Sequence, residues 1–375
     1  MRIGFVVDSG GLGGAERQAI MLAERLQKNE HEVLFFFLNQ NGERQLEKYL
    51  KLRKIPFFDL KFKFKADHIG RVWNIFKLAI KLRKFEIDVY MPYTIRPNVN
   101  INFLWQLTGA RRCIWNQRDE GRGFTKQKYR DKILWFALKN TSGFISNSIE
   151  GLQFVESYIH TQKPMITINN GVIISPPQEE KKTILKGLEI PSDTFVAIMI
   201  ANLTRYKDHE TLLKAWQLFL KNASNEPIPL LLLAGKTAET TNSIKSQIAE
   251  LGIGQSVKIL GSVEDINSLI HACDVCVHSS EYEGVPNGIL ESMAAEKPVI
   301  ASDILGIREA LGTDYPFLSE VGNAEIMANQ LLELFLDIEK RSSLGRRNKR
   351  RIAEEFDIKN LDLQTLKFIN LLLNE

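Results

Sequence analysis

Two glutamates eight residues apart are the residues whose type and spacing point most directly to chemistry. Between Glu283 and Glu291 the chain reads EGVPNGILE, after an apolar strand predicted over residues 275–278 and at the start of a predicted helix. Gly284 and Gly288 leave backbone amides accessible at the helix start, an arrangement suited to phosphate. The two carboxylates can accept hydrogen bonds from sugar hydroxyls at two points, act as a general acid and base, or form a solvated charged turn.

A second glycine-rich turn lies near the N-terminus, where GGLGGAE occupies residues 10–16 between a predicted strand and a predicted helix. Gly13 and Gly14 let backbone amides approach an anion at the positive end of that helix. A dinucleotide fingerprint requires a further glycine at the position of Glu16 and an acid after the second strand, where residues 38–40 read LNQ. The pattern argues against NAD and leaves two interpretations, a phosphate-binding loop or a tight turn.

Four residues between His271 and His278 are of types that bind zinc, the other two being Cys273 and Cys276. A structural zinc site normally draws its ligands from separate elements in two pairs. Here residues 275–278 are predicted as one strand, which places Cys276 and His278 on the same face. Buried thiols in a core strand are the better interpretation, and no metal site is predicted. The chain has no G-x-S-x-G segment, which disfavours a serine hydrolase.

The pattern of the first half of the sequence predicts a parallel sheet that can position candidate site residues. Short apolar strands alternate with helical segments, and this alternation is typical of a doubly wound sheet covered on both faces. The predicted strands are residues 2–7, 31–38, 88–91, 112–116, 143–146 and 165–169, with a long helical stretch before the third.

The second half repeats this alternation after the proline-rich and charged segment SPPQEEKK at residues 175–182. Its predicted strands are residues 194–200, 229–234, 257–260, 275–278, 298–301 and 317–318. Open α/β sheets bind ligands at the carboxyl ends of their strands, so a cleft between two domains is the expected site.

The predicted organisation has four parts, because a chain of 375 residues exceeds what one core usually supports. Residues 1–170 form a first domain, 171–190 a linker and 191–355 a second domain. The apolar helix over residues 356–375 needs a docking surface and is expected to pack back on the first domain.

Basic residues concentrate in the first half of the chain. Residues 44–84 hold 13 basic against 3 acidic residues, and residues 61–65 alternate cations with aromatics as KFKFK. Such a segment favours an anionic membrane surface as a partner. The alternative is a solvated helical face whose apolar side packs on its own sheet. No motif for nucleic-acid binding accompanies the charge, so nucleic acid is not an expected partner.

The expected location follows from the cysteines and the hydropathy pattern. Three cysteines in 375 residues indicate a reducing compartment. No apolar run approaches the roughly 20 residues that span a bilayer. A cytoplasmic protein is therefore expected, with peripheral attachment to the inner face of the cell membrane if the basic segment binds lipid.

The segment from Glu283 to Glu291 resembles the E-x7-E signature of retaining glycosyltransferases of family 4. Further segments resemble that family in the same order along nearly the whole chain. They are the turn at residues 13–16, the N-G-V hinge at 170–172, the loop ANLTRYKDH at 201–209 and SDILGIRE at 302–309. The resemblance implies a GT-B fold, in which two Rossmann-like doubly wound domains face each other across a cleft. It also implies that residues 1–170 are the acceptor side and that residues 191–355 bind the nucleotide sugar.

The same resemblance implies retaining transfer from a nucleoside-diphosphate sugar, with no cofactor and no required metal. Consistently, no two aspartates of the chain are spaced as D-x-D. Glu291 would hold the ribose hydroxyls and Glu283 would contact the transferred sugar. The implied donor-binding residues are Gly13, Gly14, Asn202, Gly284, Val285, Pro286, Asn287 and Glu291.

Cations must then neutralise the departing diphosphate. Lys207 matches the family's lysine, Asn202 occupies its usual arginine position, and Arg205 would supply charge from the same loop. Many relatives carry a His-Asp pair after a strand of the first domain, where this chain has Arg118 and Asp119. Those two residues would orient the acceptor or the sugar, and a surface ion pair is the alternative.

The sequence therefore predicts a retaining glycosyltransferase that transfers a sugar from a nucleoside-diphosphate sugar to a glycan or lipid-linked glycan in cell-surface polysaccharide biosynthesis. Two other classes stay open. One is a nucleotide-sugar epimerase or a phosphorylase-like enzyme on the same fold. The other is a catalytically inactive sugar-binding or membrane-surface subunit, because Asn202 and Arg118 depart from the family pattern.

Overall fold

The computed structural model describes residues 1–40, 42, 44–62, 68–118, 128–223 and 227–374, with the backbone alone for 68–72 and 128–130. The chain divides into two compact units, one of Met1–Gly171 with Ile358–Glu375 and the other of Val172–Asp357. Each unit carries its own hydrophobic core. None of the described helices is both long and apolar enough to cross a membrane.

The first unit contains a parallel sheet. Its described strands are β1 (Arg2–Val7), β2 (Glu32–Phe37), β3 (Phe57–Asp59), β4 (Val89–Pro92), β5 (Arg112–Gln117), β6 (Gly143–Ser146) and β7 (Met165–Thr167). Across the sheet they run in the order β3-β2-β1-β4-β5-β6-β7. From β1 the chain adds β2 and β3 on one side, and from β4 onward it adds strands on the other side. The loops that follow the carboxyl ends of β1 and β4 therefore lead to opposite halves of the sheet.

Helices cover both faces of this sheet. They are α1 (Gly14–Lys28), α2 (Gln45–Leu52), α3 (His68–Arg83), α4 (Ile95–Leu104), α5 (Lys128–Asn140), α6 (Ile149–Tyr158) and, from the end of the chain, α15 (Ile358–Asn374). Helices α1, α2 and α15 share one core cluster with alternate strand residues such as Phe5 and Phe35. Helices α3 and α4 pack on the opposite face against Phe36 and Tyr90, and α5 and α6 continue that layer over Trp115.

The second unit contains a second parallel sheet. Its strands are β8 (Val196–Ile200), β9 (Leu230–Ala234), β10 (Val257–Gly261), β11 (Val275–His278), β12 (Val299–Ser302) and β13 (Leu318–Ser319), in the order β10-β9-β8-β11-β12-β13. Its helices are α7 (Lys181–Gly187), α8 (His209–Asn222), α9 (Thr241–Glu250), α10 (Ile266–Ala272), α11 (Asn287–Ala294), α12 (Leu305–Leu311), α13 (Ala324–Leu336) and α14 (Ile338–Glu355). The order reverses between β8 and β11, which are neighbours.

The prediction of alternating strands and helices in two sheets is confirmed, and two details of it were wrong. The helical stretch predicted before β4 is interrupted by β3, which follows the helix-breaking Pro56 and pairs with β2 at the sheet edge. The segment expected to be a linker over 171–190 contains α7, whose Leu185 is buried in the second unit's core.

The last helix is held to the first unit by an ion pair as well as by apolar packing. Asp362 of α15 has a side chain only 5% exposed, and its Oδ2 lies 2.9 Å from Nε of Arg25 on α1. Asn29 donates to the same oxygen over 3.2 Å. A buried carboxylate is costly unless it is paired, so this pair fixes the position of α15 on α1.

We expect Asp362→Ala to lower the free energy of unfolding of the first unit by about 2 kcal/mol, because Arg25 loses its partner in a partly buried position. Four of the five tryptophans lie in this unit, at positions 73, 105, 115 and 135. Urea unfolding followed by tryptophan fluorescence therefore reports mainly on it. Asp193→Ala, at an exposed position of the second unit, is the control, and an equal effect of both substitutions would contradict the prediction.

Candidate functional site

Two loops meet in the second unit where its strand order reverses. One follows β8 and contains Lys207; the other follows β11 and contains Glu283. Because β8 and β11 are adjacent and parallel, their carboxyl ends lie side by side at the same edge of the sheet. An open parallel sheet binds its ligands at this place.

The two loops are joined by hydrogen bonds and by one aromatic pair. The Glu281 amide donates to the carbonyl oxygen of Tyr206 over 2.8 Å, and the Ser279 hydroxyl donates to that of Asp208 over 2.8 Å. The rings of Tyr206 and Tyr282 stack with centroids 4.9 Å apart. These contacts hold the two loops together, so the side chains that the loops carry are held in one arrangement.

Glu283 is the centre of this arrangement. Its Oε1 atom receives the ammonium of Lys207 in a short ion pair, the hydroxyl of Ser280 over 2.8 Å and Nε2 of His278 over 3.1 Å. The side chains of Glu283 and Lys207 are each only 12% exposed. Since an ionised carboxylate only accepts hydrogen bonds, His278 donates from Nε2, which assigns its tautomer.

The pKa values follow from this geometry. Burial opposes ionisation of Glu283, but the Lys207 ammonium and the His278 hydrogen bond outweigh it and lower the pKa of Glu283 to about 2. Burial lowers the pKa of His278, although Glu283 works against that shift. Burial, with His278 and Lys207 nearby, also lowers the pKa of His209 to about 4. At neutral pH the site therefore contains ionised Glu283 and two neutral histidines.

Glycines let the surrounding backbone approach these loops closely. A Cβ atom on Gly306 of α12 would lie 2.0 Å from the carbonyl oxygen of Gly284 and 2.4 Å from that of Glu283. A Cβ atom on Gly288 would lie 2.6 Å from the carbonyl oxygen of Ile200. Real side chains do not fit at such distances, so only glycine permits this packing against the Glu283 loop.

The start of α11 presents backbone amides beside this loop. Its N-cap is Pro286, which has no side-chain oxygen to accept from the first turn. Val285 is buried against the core, whereas Glu291 is half-buried one turn into the helix. The predicted segment from Gly284 to Glu291 thus comprises the end of the loop after β11 and the first residues of α11.

Two further predicted residues of the β8 loop are placed differently. Oδ1 of Asn202 accepts from the amide of Lys236 over 3.0 Å, which ties the β8 loop to the β9 loop. Arg205 is exposed on a short 3-10 turn, Arg205–Lys207, and its amide donates to Glu239 over 3.1 Å. Within the described part of the chain, the basic side chains that pair with Glu283 are Lys207 and His278 and not Arg205. Lys207 is therefore the cation that the structure brings to Glu283.

In the first unit, the glycine turn at the start of α1 is closed by its own acid. The amide of Gly13, the N-cap residue, donates to Oε2 of Glu16 over 3.0 Å. A carboxylate of the chain thus occupies the position that the sequence pattern reserves for an anion at this amide. Gly14 is the first residue of α1.

Arg118 lies at the carboxyl end of β5 and is held by neighbouring side chains. Its Nη2 donates to the Tyr93 hydroxyl over 3.1 Å and to Oδ1 of Asn116 over 3.2 Å. Its guanidinium also stacks over the Tyr93 ring at 4.6 Å. Nε and Nη1 are buried without a hydrogen-bond partner within the described part of the chain. Asp119 lies outside the described residues.

The sequence pattern did not reveal the supporting residues His278, Ser279 and Ser280. His278 was considered only as a zinc ligand, and the structure gives it to Glu283 instead. Cys273 and Cys276 are buried, as predicted, and burial raises the pKa of both thiols. The polar residues HSS at positions 278–280, which end the apolar strand β11 and follow it, were the available signal for Glu283's partners.

Fold and site together define a two-domain, Rossmann-like protein of the GT-B type. The family model described as Glycosyltransferase Family 4 matches residues 12–175, and the model described as Glycosyl transferases group 1 matches residues 180–351. The two matches succeed each other along most of the chain. The chain belongs to the glycosyltransferases of family 4 type, and the predicted family and fold are confirmed.

Several known proteins are similar to the chain. EpsD of Bacillus subtilis, named as a glycosyltransferase, is 31% identical over 180 residues, 47% of this chain and 45% of that protein, so this match spans less than half of that relative. A Campylobacter jejuni 4-alpha-N-acetylgalactosaminyltransferase, named for an undecaprenol-diphosphate-linked acceptor, is 21% identical over 98% of this chain and 99% of its own length. The crystal structure of Anabaena HepE with UDP and glucose superposes with a TM-score of 0.85 at 20% identity, covering 99% of both chains.

We expect Lys207→Met to destabilise the second unit by about 3 kcal/mol at pH 7, because Glu283 is then buried without its cation. The folded-state pKa of Glu283 lies below its ordinary value of 4.5, so the pair's contribution is present above pH 4.5 and is lost as the pH falls towards 2. The difference between wild type and variant should therefore shrink over that range in scanning calorimetry.

The matched control for this substitution is Lys214→Met. Lys214 pairs with Glu210 over 2.7 Å, but both side chains are more than half exposed. An exposed pair contributes less than about 1 kcal/mol, so this variant should change little at any pH. Equal losses in Lys207→Met and Lys214→Met would show that the Glu283 pair is not buried as described.

We expect Gly306→Ala to displace the Glu283 loop and to cost about 1–3 kcal/mol, because an added methyl group meets backbone rather than a flexible side chain. Hydrogen exchange of residues 279–288, measured by mass spectrometry, should accelerate at least about tenfold in the variant. Gly187→Ala in α7 is the control, since nothing lies within 4 Å of its Cβ position. Unchanged exchange in Gly306→Ala would contradict the tight packing.

Proposed function

We propose that this glycosyltransferase transfers a sugar from a nucleoside-diphosphate sugar to a glycan or lipid-linked glycan, with retention of anomeric configuration and without a required metal, in the synthesis of a cell-surface polysaccharide. The observation that carries the proposal is the buried Lys207–Glu283 pair at the carboxyl ends of β8 and β11. It combines a cation for a diphosphate with a carboxylate for sugar hydroxyls.

Lys207 can serve both partners because an ammonium has three N–H donors. One donor is directed to Oε1 of Glu283, which leaves donors for an oxygen of the diphosphate. The buried position strengthens such an interaction relative to water. The diphosphate gains negative charge as its bond to the sugar breaks, so a fixed cation here stabilises the transition state more than the ground state.

Glu283 is suited to bind hydroxyls rather than to transfer a proton. Its pKa of about 2 keeps it ionised at neutral pH, whereas a general acid or base works best with a pKa near the operating pH. The hydrogen bonds from Lys207, His278 and Ser280 all reach Oε1. In our proposal Oε2 accepts from a hydroxyl of the transferred sugar, and Glu291 accepts from the ribose.

The start of α11 supplies the second positive feature of the proposed donor site. The N-terminus of a helix carries about half a positive charge and directs amides at an anion. The proposed ligands are the backbone N–H groups of Gly284, Val285 and Asn287, since Pro286 has none. Their positions depend on the glycine packing at Gly306 and Gly288. The structure of HepE with UDP and glucose supports a nucleotide-sugar donor for a chain of this fold.

Arg118 is proposed to orient the sugar or the acceptor. Its Nη2 is fixed by Tyr93 and Asn116, and its remaining guanidinium nitrogens have no partner in the described residues. Arginine keeps its charge at any physiological pH, so the side chain suits a phosphate-bearing acceptor. The acceptor named for the Campylobacter relative, a glycan on undecaprenol diphosphate, supports this chemistry.

The test begins with a thermal-shift panel of UDP-, GDP-, ADP- and CMP-sugars, since a specific ligand raises the melting temperature by mass action. With the donor that shifts it, we expect Glu283→Gln to lower kcat at least about a hundredfold, because a neutral amide cannot replace the buried carboxylate. Glu291→Ala should weaken donor binding about tenfold or more. NMR of the product should show the anomeric configuration of the donor.

The matched control is Glu281→Gln, an exposed carboxylate two residues from Glu283, which should leave kcat within about threefold of wild type. Arg118→Ala should raise the KM for the acceptor while donor binding is preserved. Interconversion or release of the donor without any acceptor would favour an epimerase or a phosphorylase-like enzyme. Donor binding without turnover in wild type would favour a sugar-binding subunit.

A further inference from the structure

The outer side of the first unit carries large apolar side chains that its core does not use. On α3, Leu78, Ala79 and Leu82 are buried against the sheet. On the opposite side of the same helix, Trp73, Phe76 and Ile80 are 57%, 46% and 51% exposed. The spacing of these three residues places them along one face of the helix, so α3 is apolar on two sides.

Helix α5 repeats this pattern. Leu134, Ala137 and Leu138 are buried in the core, whereas Trp135 and Phe136 are 43% and 48% exposed. Each of the two helices therefore carries an exposed tryptophan together with at least one other exposed apolar side chain. Tryptophan is also the residue type that concentrates at membrane interfaces, because its ring is largely apolar and its N–H is polar.

The two helices belong to one layer on one face of the sheet. Helix α4 lies between them, and the Phe103 ring of α4 stacks on Phe136 of α5 with centroids 4.9 Å apart. The 3-10 turn Trp105–Thr108, which follows α4 and contacts α3, adds Leu107 with 50% exposure. Packed helix axes lie about 8–10 Å apart, so the exposed side chains of α3 and α5 are separated by about 20 Å.

The exposed charged side chains that the structure describes on α3 and α5 are cationic. Lys77, Arg83, Lys132 and Lys139 are exposed on the two helices, and Lys77 and Lys139 lie over the rings of Trp73 and Trp135 at 5.5 and 4.1 Å. Among the residues of α3 and α5 whose side chains are described, the one acid is Asp131, which is half-buried beside the Tyr158 hydroxyl. Positive charges interspersed with exposed aromatic side chains fit a partner that has an anionic surface and an apolar layer beneath it.

We propose that this aromatic-basic face, made of Trp73, Phe76, Ile80, Leu107, Trp135 and Phe136 with their neighbouring lysines, docks on a membrane of anionic lipids. The aromatic side chains enter the headgroup region, and the lysines pair with lipid phosphates. The proposal differs from one based on residues 44–84 alone, because half of the face comes from α5 and the 3-10 turn. It concerns attachment to the bilayer and holds whichever sugar is transferred.

The first experiment measures co-sedimentation of the whole protein with vesicles of phosphatidylglycerol and phosphatidylcholine, without any sugar donor. We expect binding at least about tenfold tighter to vesicles with 40% phosphatidylglycerol than to pure phosphatidylcholine, and weaker binding as salt rises from about 0.05 to 0.5 M because salt screens the lysines. Equal binding to both vesicles, or none, would overturn the proposal. Failure of donor binding or turnover would not affect this readout.

Two variants separate the apolar contribution from the charge. Trp73→Ser with Trp135→Ser, and Lys77→Glu with Lys132→Glu, should each weaken vesicle binding at least about tenfold. Matched controls lie on the second unit: Leu336→Ser with Ile338→Ser, at positions 69% and 66% exposed, and Lys186→Glu with Lys245→Glu, both exposed. The controls should bind within about twofold of wild type, and a loss in them equal to that of the face variants would refute the assignment.

Brominated lipids give a test of contact that does not depend on affinity. Because Trp105, Trp115 and Trp216 are 9% exposed or less, quenching of the wild-type fluorescence by brominated phosphatidylglycerol should come from Trp73 and Trp135. The variant Trp73→Phe with Trp135→Phe should lose that quenching and still bind. If the face instead joins two copies of the chain, analytical ultracentrifugation will show a dimer that the serine variant abolishes, with no quenching, and the membrane proposal will be wrong.

Discussion

The site of the second unit depends on the burial of one ionised carboxylate, that of Glu283. Removing a carboxylate from water costs several kcal/mol unless hydrogen bonds and an opposite charge replace the water. Lys207, Ser280 and His278 provide that replacement at a single oxygen. Lys207 comes from the loop after β8 and the other two from β11 and its loop, so the carboxylate can stay buried and ionised only while the two loops stay together. The same interaction that stabilises the charge therefore fixes the geometry of the proposed donor site.

The backbone around the carboxylate is constrained as tightly as the charge. Gly306 and Gly288 bring α12 and α11 against the backbones of residues 283–284 and 200, at distances that exclude any side chain. Gly235 brings the loop after β9 equally close to Ala201, because a Cβ atom added at Gly235 would lie 2.0 Å from the carbonyl oxygen of Ala201. Packing of backbone on backbone removes the freedom by which loops usually move. Preorganised donors of this kind need little rearrangement when charge develops on a substrate, which is the property that a transferase site requires.

The sequence was sufficient to predict the features that follow from the order of strands and helices along the chain. Alternating apolar strands predicted two parallel sheets, and the loops of Lys207 and Glu283 each follow a strand, so both were expected at a carboxyl edge. Which strands are neighbours in the sheet could not be predicted from the sequence, because β8 pairs with β11 although β9 and β10 lie between them in the chain. For that reason the sequence did not show that His278 and Lys207 reach the same oxygen. It also could not show that Asn202 binds the backbone of Lys236, since a side-chain-to-backbone bond leaves no pattern of residue types.

The glycine-containing turns before α1 and α11 show why two similar sequence motifs can differ in function. Both precede a helix, and both expose amides that suit an anion. At α1 the third helical residue is Glu16, whose carboxylate accepts from the Gly13 amide, so the helix start is already supplied with a negative charge from within. At α11 the N-cap is Pro286, and the neighbouring acid Glu283 faces Lys207 and His278. An incoming phosphate must displace a carboxylate at the first turn, whereas at the second it meets a cation and a helix start together. The physical difference lies in where each acid finds its partner, and it favours the second unit as the place where a diphosphate is bound.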